Sequence, residues 1–150
     1  MGGLRYGDKR RICFVIKKGN SETFYNQLIC LNEQIRKEWE FQGNEPQKFH
    51  SEGPKIIIIL DNASFHKKQE FLEKIESELP NIKLEFLPAY SPDYNLIELV
   101  WHSAKEYIAH REFETQEELE KIVNKLLNEG ELIINWTRKV KNKGNSVNVI

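Results

Sequence analysis

The chain has 150 residues, 39% of them apolar and 30% charged, with a mean hydropathy of −0.60. This is the composition of one soluble domain long enough to bury a core, and it excludes a disordered or low-complexity chain. The longest apolar run falls far short of the roughly 20 residues that span a bilayer, and Met1-Gly2-Gly3-Leu4-Arg5 opens without the apolar stretch of a signal peptide. The net charge of −1 conceals an uneven layout: +5 over residues 1–20, −9 over 21–130 and +3 over 131–150. Basic ends suit either a polyanionic partner or simple solubilising tails. Cys13 and Cys30 lack metal-type spacing and are expected as free core thiols of a cytoplasmic protein.

In chain order, Gly7-Asp8 signals a turn, and Arg10–Lys18 reads as a strand with an apolar centre and basic flanks. A helix capped by Asn20 or Ser21 follows, its stripe of Phe24, Leu28, Leu31 and Ile35 lasting to about Trp39. Residues 42–54, with two Gly and two Pro, read as a loop. Ile56 to Leu60 is an unbroken aliphatic run, and residues 55–60 are expected as a strand buried on both faces. A helix from about Lys67 to Leu79 buries Phe71, Leu72, Ile75 and Leu79, and Pro80-Asn81 breaks it before a strand over 82–87. Strand, helix and strand at this spacing predict a parallel βαβ unit.

Pro88 to Asn95 reads as a rigid turn, with Asn95 as cap of a helix running from about Leu96 to His110. The expected buried stripe of that helix is Ile97, Val100, Trp101, Ala104, Tyr107 and Ile108. Thr115-Gln116-Glu117-Glu118 is a capping box opening a helix to about Asn128, with Leu119, Ile122, Val123 and Leu126 inward and Gly130 as its stop. Leu132–Val140 is expected to be a short helix, and the last ten residues are expected to be loose. The predicted division is a domain over 1–130 and a basic C-terminal helix and tail over 131–150.

Two stretches carry chemistry. Asp61 follows the aliphatic strand directly, at the carboxyl end where open α/β sheets hold their ligands. Within its own stretch it serves equally well as a cap for the following helix. Glu98 falls in the first turn of its helix beside the buried stripe, where the helix dipole by itself favours a carboxylate. Together, Asp61 and Glu98 are candidates to hold a hard divalent cation such as Mg2+, which needs only one or two protein carboxylates. His66 lies five residues past Asp61 and is a candidate for positioning a phosphate or water, or for a local hydrogen bond. His102 and Lys105 share the helix face of Glu98, either as phosphate contacts or as part of a solvated surface. The basic run Trp136 to Lys143 is a weaker candidate for phosphate contact.

The motifs Leu60-Asp61-Asn62-Ala63-Ser64-Phe65-His66 and Leu87 to Trp101 closely resemble the catalytic core of DDE transposases, in the branch of bacterial insertion-sequence enzymes related to mariner. In that family the second acid lies in an LDNAxxH motif and the last in an SPxLNPIExxW motif. The resemblance spans roughly residues 10–128 and matches Asp61 and Glu98 to those acids, with 36 residues between them. It implies an α/β, RNase H-like mixed sheet flanked by helices, with Mg2+ or Mn2+ as cofactor and DNA as substrate for strand cleavage and transfer. It also implies a homodimeric intact enzyme in the bacterial cytosol. Leu96 and Tyr94 depart from the family's Pro and Leu in the turn. The family's first Asp lies on a central strand upstream of the strand matched by Arg11–Lys18, where this sequence offers only Asp8, in a turn. The expectation is therefore a sheet lacking its first, central strand and a chain incomplete or inactive by itself. Such a chain is either a decayed remnant or the second frame of an element whose first frame supplies the N-terminal half. The alternative is a non-catalytic DNA-binding or interaction remnant of a transposase.

Overall fold

The structure, a computed structural model, describes residues 1–13, 16, 18–61, 63–88, 95–137, 140–142 and 145–147. The expected turn over 88–95 and the basic run at Arg138, Lys139 and Lys143 fall largely outside them. The chain divides into two compact units, Ile16–Tyr90 and Met1–Val15 with Ser91–Ile150.

In the unit Ile16–Tyr90, α1 (Ser21–Phe41) starts at Asn20, whose Oδ1 accepts the Thr23 N–H and hydroxyl, each at 2.8 Å. This satisfies donors that the first helical turn cannot pair. α1 buries Phe24, Tyr25 and Leu28. Its partner α3 (Gln69–Glu78) buries Ile75, with Leu79 buried just beyond. β3 (Ile56–Leu60) and β4 (Ile82–Phe86) pair in parallel from Ile56 opposite Ile82 to Leu60 opposite Phe86, as the βαβ spacing predicts. The ladder extends by one bond, from Leu87 N–H to the Leu60 carbonyl at 2.8 Å, and so fixes the end of β3 where Asp61 emerges.

Two expectations for this unit are corrected. β3 is not buried on both faces: Ile56, Ile58 and Leu60 are half-buried, whereas Ile57 is 64% and Ile59 61% exposed. An uninterrupted aliphatic run says that both faces tolerate burial, while cover depends on what packs there. Among the described residues β3 pairs with β4 alone. The expected loop over 42–54 contains a 3₁₀ turn, Pro46–Lys48, and one helical turn, α2 (Phe49–Glu52). Its anchor is Phe49, fully buried and set edge-on to Trp39 with ring centroids 5.7 Å apart. Gly53 lies so close beneath it that a Cβ there would stand 2.3 Å from the Phe49 carbonyl oxygen. Buried Asn81, more than a helix breaker, donates to the carbonyls of Phe49 (2.9 Å) and Pro54 (3.2 Å) and ties this segment to the start of β4.

The other unit opens with a hairpin, β1 (Gly2–Leu4) antiparallel to β2 (Arg11–Cys13), about the expected turn. α4 (Ile97–Ile108) and α5 (Gln116–Leu127) pack through Val100, Ala104, Leu126 and Leu127, with Leu4 and Trp101 against them. Thr115 Oγ1 accepts the Glu118 N–H at 3.2 Å, as the capping box requires. Gly130 takes φ +79 where α5 has ended. Tyr107 turns outward instead of joining the stripe, and Leu99 is buried. Cys13 is half-buried, and burial pushes its thiol up. Cys30 is exposed and is no core thiol.

Of the short helix expected over Leu132–Val140, none is present among the described residues 132–137. The Leu132 carbonyl accepts from Arg11 Nη1 at 2.8 Å, so it is committed to β2 and not to an amide four residues on. Asn135 Oδ1 takes both the Thr137 N–H (3.1 Å) and its hydroxyl (2.8 Å), a local turn that competes with helix. Leu132 is buried in the α4–α5 core. In the stretch expected to be loose, β5 (Val140–Asn142) pairs antiparallel with β6 (Asn145–Val147).

Candidate active site

Asp61 leaves the end of β3 with its side chain 62% exposed. Its Oδ1 accepts the Ala63 N–H at 3.1 Å, which is the local turn bond that a capping role would make. The same oxygen lies 3.0 Å from His66 Nδ1, leaving Oδ2 without a partner among the described residues. His66 sits on a 3₁₀ turn, Ser64–Lys67, closed by its N–H to the Ala63 carbonyl at 3.0 Å. It is buried, and its ring lies 4.5 Å from that of Phe24 on α1. The approach of its Nδ1 to Asp61 is a proximity without hydrogen-bond geometry. Lys67 extends its ammonium over the Phe86 ring at 5.3 Å, beside the end of β4.

Glu98 lies in the other unit and is half-buried in the first turn of α4. Its N–H donates to the Asn95 carbonyl at 2.9 Å. Asn95 therefore meets the helix start through its backbone, and no side chain among the described residues caps α4. One and two turns on, His102 and Lys105 are exposed, and His102 Nε2 lies 3.4 Å from Glu106 Oε1. Asp8, the remaining upstream Asp, closes its turn. Its carboxylate accepts from Arg5 Nε (2.9 Å) and the Arg10 N–H (3.1 Å), and the Arg5 guanidinium holds it well below the usual carboxylate range.

No group of three or more His, Cys, Asp or Glu side chains converges among the described residues. Asp61 is an exposed carboxylate of the oxygen-donor type that suits a hard divalent cation, with Oδ1 accepting the Ala63 N–H. The packing of His66 was only partly legible in the sequence. His66 stands out as a polar residue near Asp61, but nothing local announces that Phe24, some forty residues earlier, packs against it.

The family model described as DDE superfamily endonuclease matches residues 1–120. Among solved structures, the catalytic domain of Mos1 mariner transposase is similar at 21% identity and a TM-score of 0.56, covering 78% of this chain and 54% of that one. A second Mos1 transposase catalytic domain, solved with raltegravir and Mg, is 22% identical with a TM-score of 0.55, covering 74% and 51%. The chain spans about half the length of these structures, and at such identities they speak to the fold, a mixed α/β, RNase H-like architecture. Among curated proteins none matches.

Proposed function

The chain belongs to the DDE superfamily endonuclease family, and from that premise we propose that it is part of a transposase catalytic domain acting on the DNA phosphodiesters of a bacterial insertion sequence. Asp61 and Glu98 hold the metal. The observation that carries this is the exposed carboxylate of Asp61 beyond the end of a parallel strand, its Oδ1 accepting the Ala63 N–H and its Oδ2 without a partner among the described residues. Glu98 supplies a second carboxylate from a helix start, where the dipole favours its charged form. Mg2+ or Mn2+ there supplies Lewis-acid activation of a nucleophile and neutralises charge at the phosphodiester. His102 and Lys105, on the following turns of α4, contact backbone phosphates of DNA and set its register without reading bases.

The working enzyme contains more than these residues. Among the described residues β3 has one partner strand, and the family's first acid has no counterpart beyond the engaged Asp8. A strand bearing that acid, supplied from another segment or reading frame, completes the sheet in a homodimeric, cytosolic transposase.

Binding of Mn2+ followed by electron paramagnetic resonance, with a plasmid-nicking assay in parallel, tests this reading. The expected result is Mn2+ binding by the chain, weakened about tenfold or more by Asp61→Asn and by Glu98→Gln, and no sustained nicking by the chain alone. Equal affinity in all three proteins overturns the metal assignment, and robust nicking by the isolated chain overturns its incompleteness.

A further inference from the structure

The basic opening of the chain, +5 over residues 1–20, has no part in the chemistry proposed above. Much of that charge lies at the tip of the β1–β2 hairpin, where residues 5–10 carry Arg5, Lys9 and Arg10 against Asp8, and Arg11 follows on β2. The Arg5 N–H closes the tip on the Arg10 carbonyl at 2.8 Å. Amid this charge stands an aromatic ring, Tyr6, 69% exposed. The ring is held from behind. Lys9 Nζ lies 3.7 Å from its centroid and donates to the Tyr6 carbonyl at 2.8 Å, and the same ammonium lies 5.7 Å from the centroid of Trp136. Lys9 also takes φ +58, and among the described residues it is the one residue other than glycine with a positive φ. A residue with a Cβ is disfavoured there, and such outliers mark places where something else over-determines the backbone. Here that is the lysine whose ammonium backs the exposed ring.

We propose that the tip of the β1–β2 hairpin is a contact for single-stranded DNA, in which Tyr6 stacks on one unpaired base, Lys9 holds the ring and Arg10 meets the adjoining phosphate. Positive charge draws the phosphates, and an aromatic ring with one face outward takes any base. Inside a duplex each base is already covered on both faces by its neighbours, so the ring selects an unpaired one. An acidic peptide would use the charge and leave the ring idle. The hairpin is also rooted on the helix that carries Glu98: a Cβ at Gly2 of β1 would stand 2.7 Å from Trp101 Cη2, one turn along α4 from Glu98. The inference rests on the reading of this chain as acting on DNA and is independent of the metal assignment.

Fluorescence anisotropy tests the proposal on the full chain, with a labelled duplex bearing a short single-stranded overhang and the same duplex blunt-ended. Thermal melting establishes that each variant is folded. The chain is expected to bind the overhang duplex more tightly than the blunt one. Tyr6→Ala is expected to weaken overhang binding about fivefold or more, the low end of what one base–aromatic stack contributes, and to leave the blunt duplex within about twofold. Tyr6→Phe, which keeps the ring, is expected to restore the overhang affinity. Lys9→Gly, which suits the positive φ but removes the ammonium behind the ring, is expected to weaken the overhang duplex more than the blunt one. An overhang affinity unmoved by Tyr6→Ala, or an equal loss on both duplexes, overturns the inference and leaves the DNA reading standing. Binding of neither duplex at low salt overturns that reading, and the inference with it.

Discussion

The aspartate at the end of β3 accepts the Ala63 N–H, the bond that a capping role makes, and the same oxygen lies 3.0 Å from a buried histidine. A capping role and a ligand role are compatible, because a carboxylate has two oxygens and a ligand needs only one. Elsewhere in the same unit the tyrosine of α1 gives a titration signature. The Tyr25 hydroxyl donates to Glu78 Oε2, and burial, then the Glu78 carboxylate, push the phenol up to about 12 from an ordinary 10.0. The folded state therefore holds this proton more tightly than the unfolded chain. Its stabilising effect is complete below pH 10 and falls away as pH rises from 10 towards 12, because the unfolded state loses the proton first. Thermal melts of wild type and Tyr25→Phe should run parallel in pH up to about 10, after which the wild type declines more steeply. Parallel curves through pH 11 contradict this account.

At the scale of the element, periodicity was a good guide wherever local chemistry set the ends. Asn20 and Thr115 cap the helices expected of them, and Ile82–Phe86 pairs in parallel with the aliphatic strand. It misled where a distant partner decided. Leu132 has the pattern of a helix start, but Arg11, over a hundred residues earlier, takes its carbonyl. Phe49 sits among loop-forming residues, but buried Asn81 gathers their carbonyls and makes the segment part of the core. β3 is the sharpest case, since its composition suits burial on both faces and Ile57 and Ile59 remain outside. Exposed positions tolerate substitution within about ±0.5 kcal/mol, so Ile57→Thr with Ile59→Thr is expected to leave the urea midpoint of the chain nearly unchanged. Burying an isoleucine contributes roughly 1.5–3 kcal/mol. A loss of that size in the double variant would mean that this face is covered.

For the whole molecule, the family was legible because its two motifs are long, ordered and local, and the match over residues 1–120 agrees. The uneven charge, basic at both ends and acidic between, left both DNA and simple solubility open as explanations, because charge fixes a sign of partner and not a partner. What no motif could specify is whether Asp61, in the unit Ile16–Tyr90, and Glu98, in the unit completed by Met1–Val15, serve one cation, as proposed. That shared service is the central claim, and anomalous diffraction from crystals of the chain grown with Mn2+ tests it most directly. The account predicts a manganese peak bonded to a carboxylate oxygen of Asp61 and to one of Glu98. A peak at Asp61 with Glu98 outside bonding distance, or manganese at neither, would contradict it.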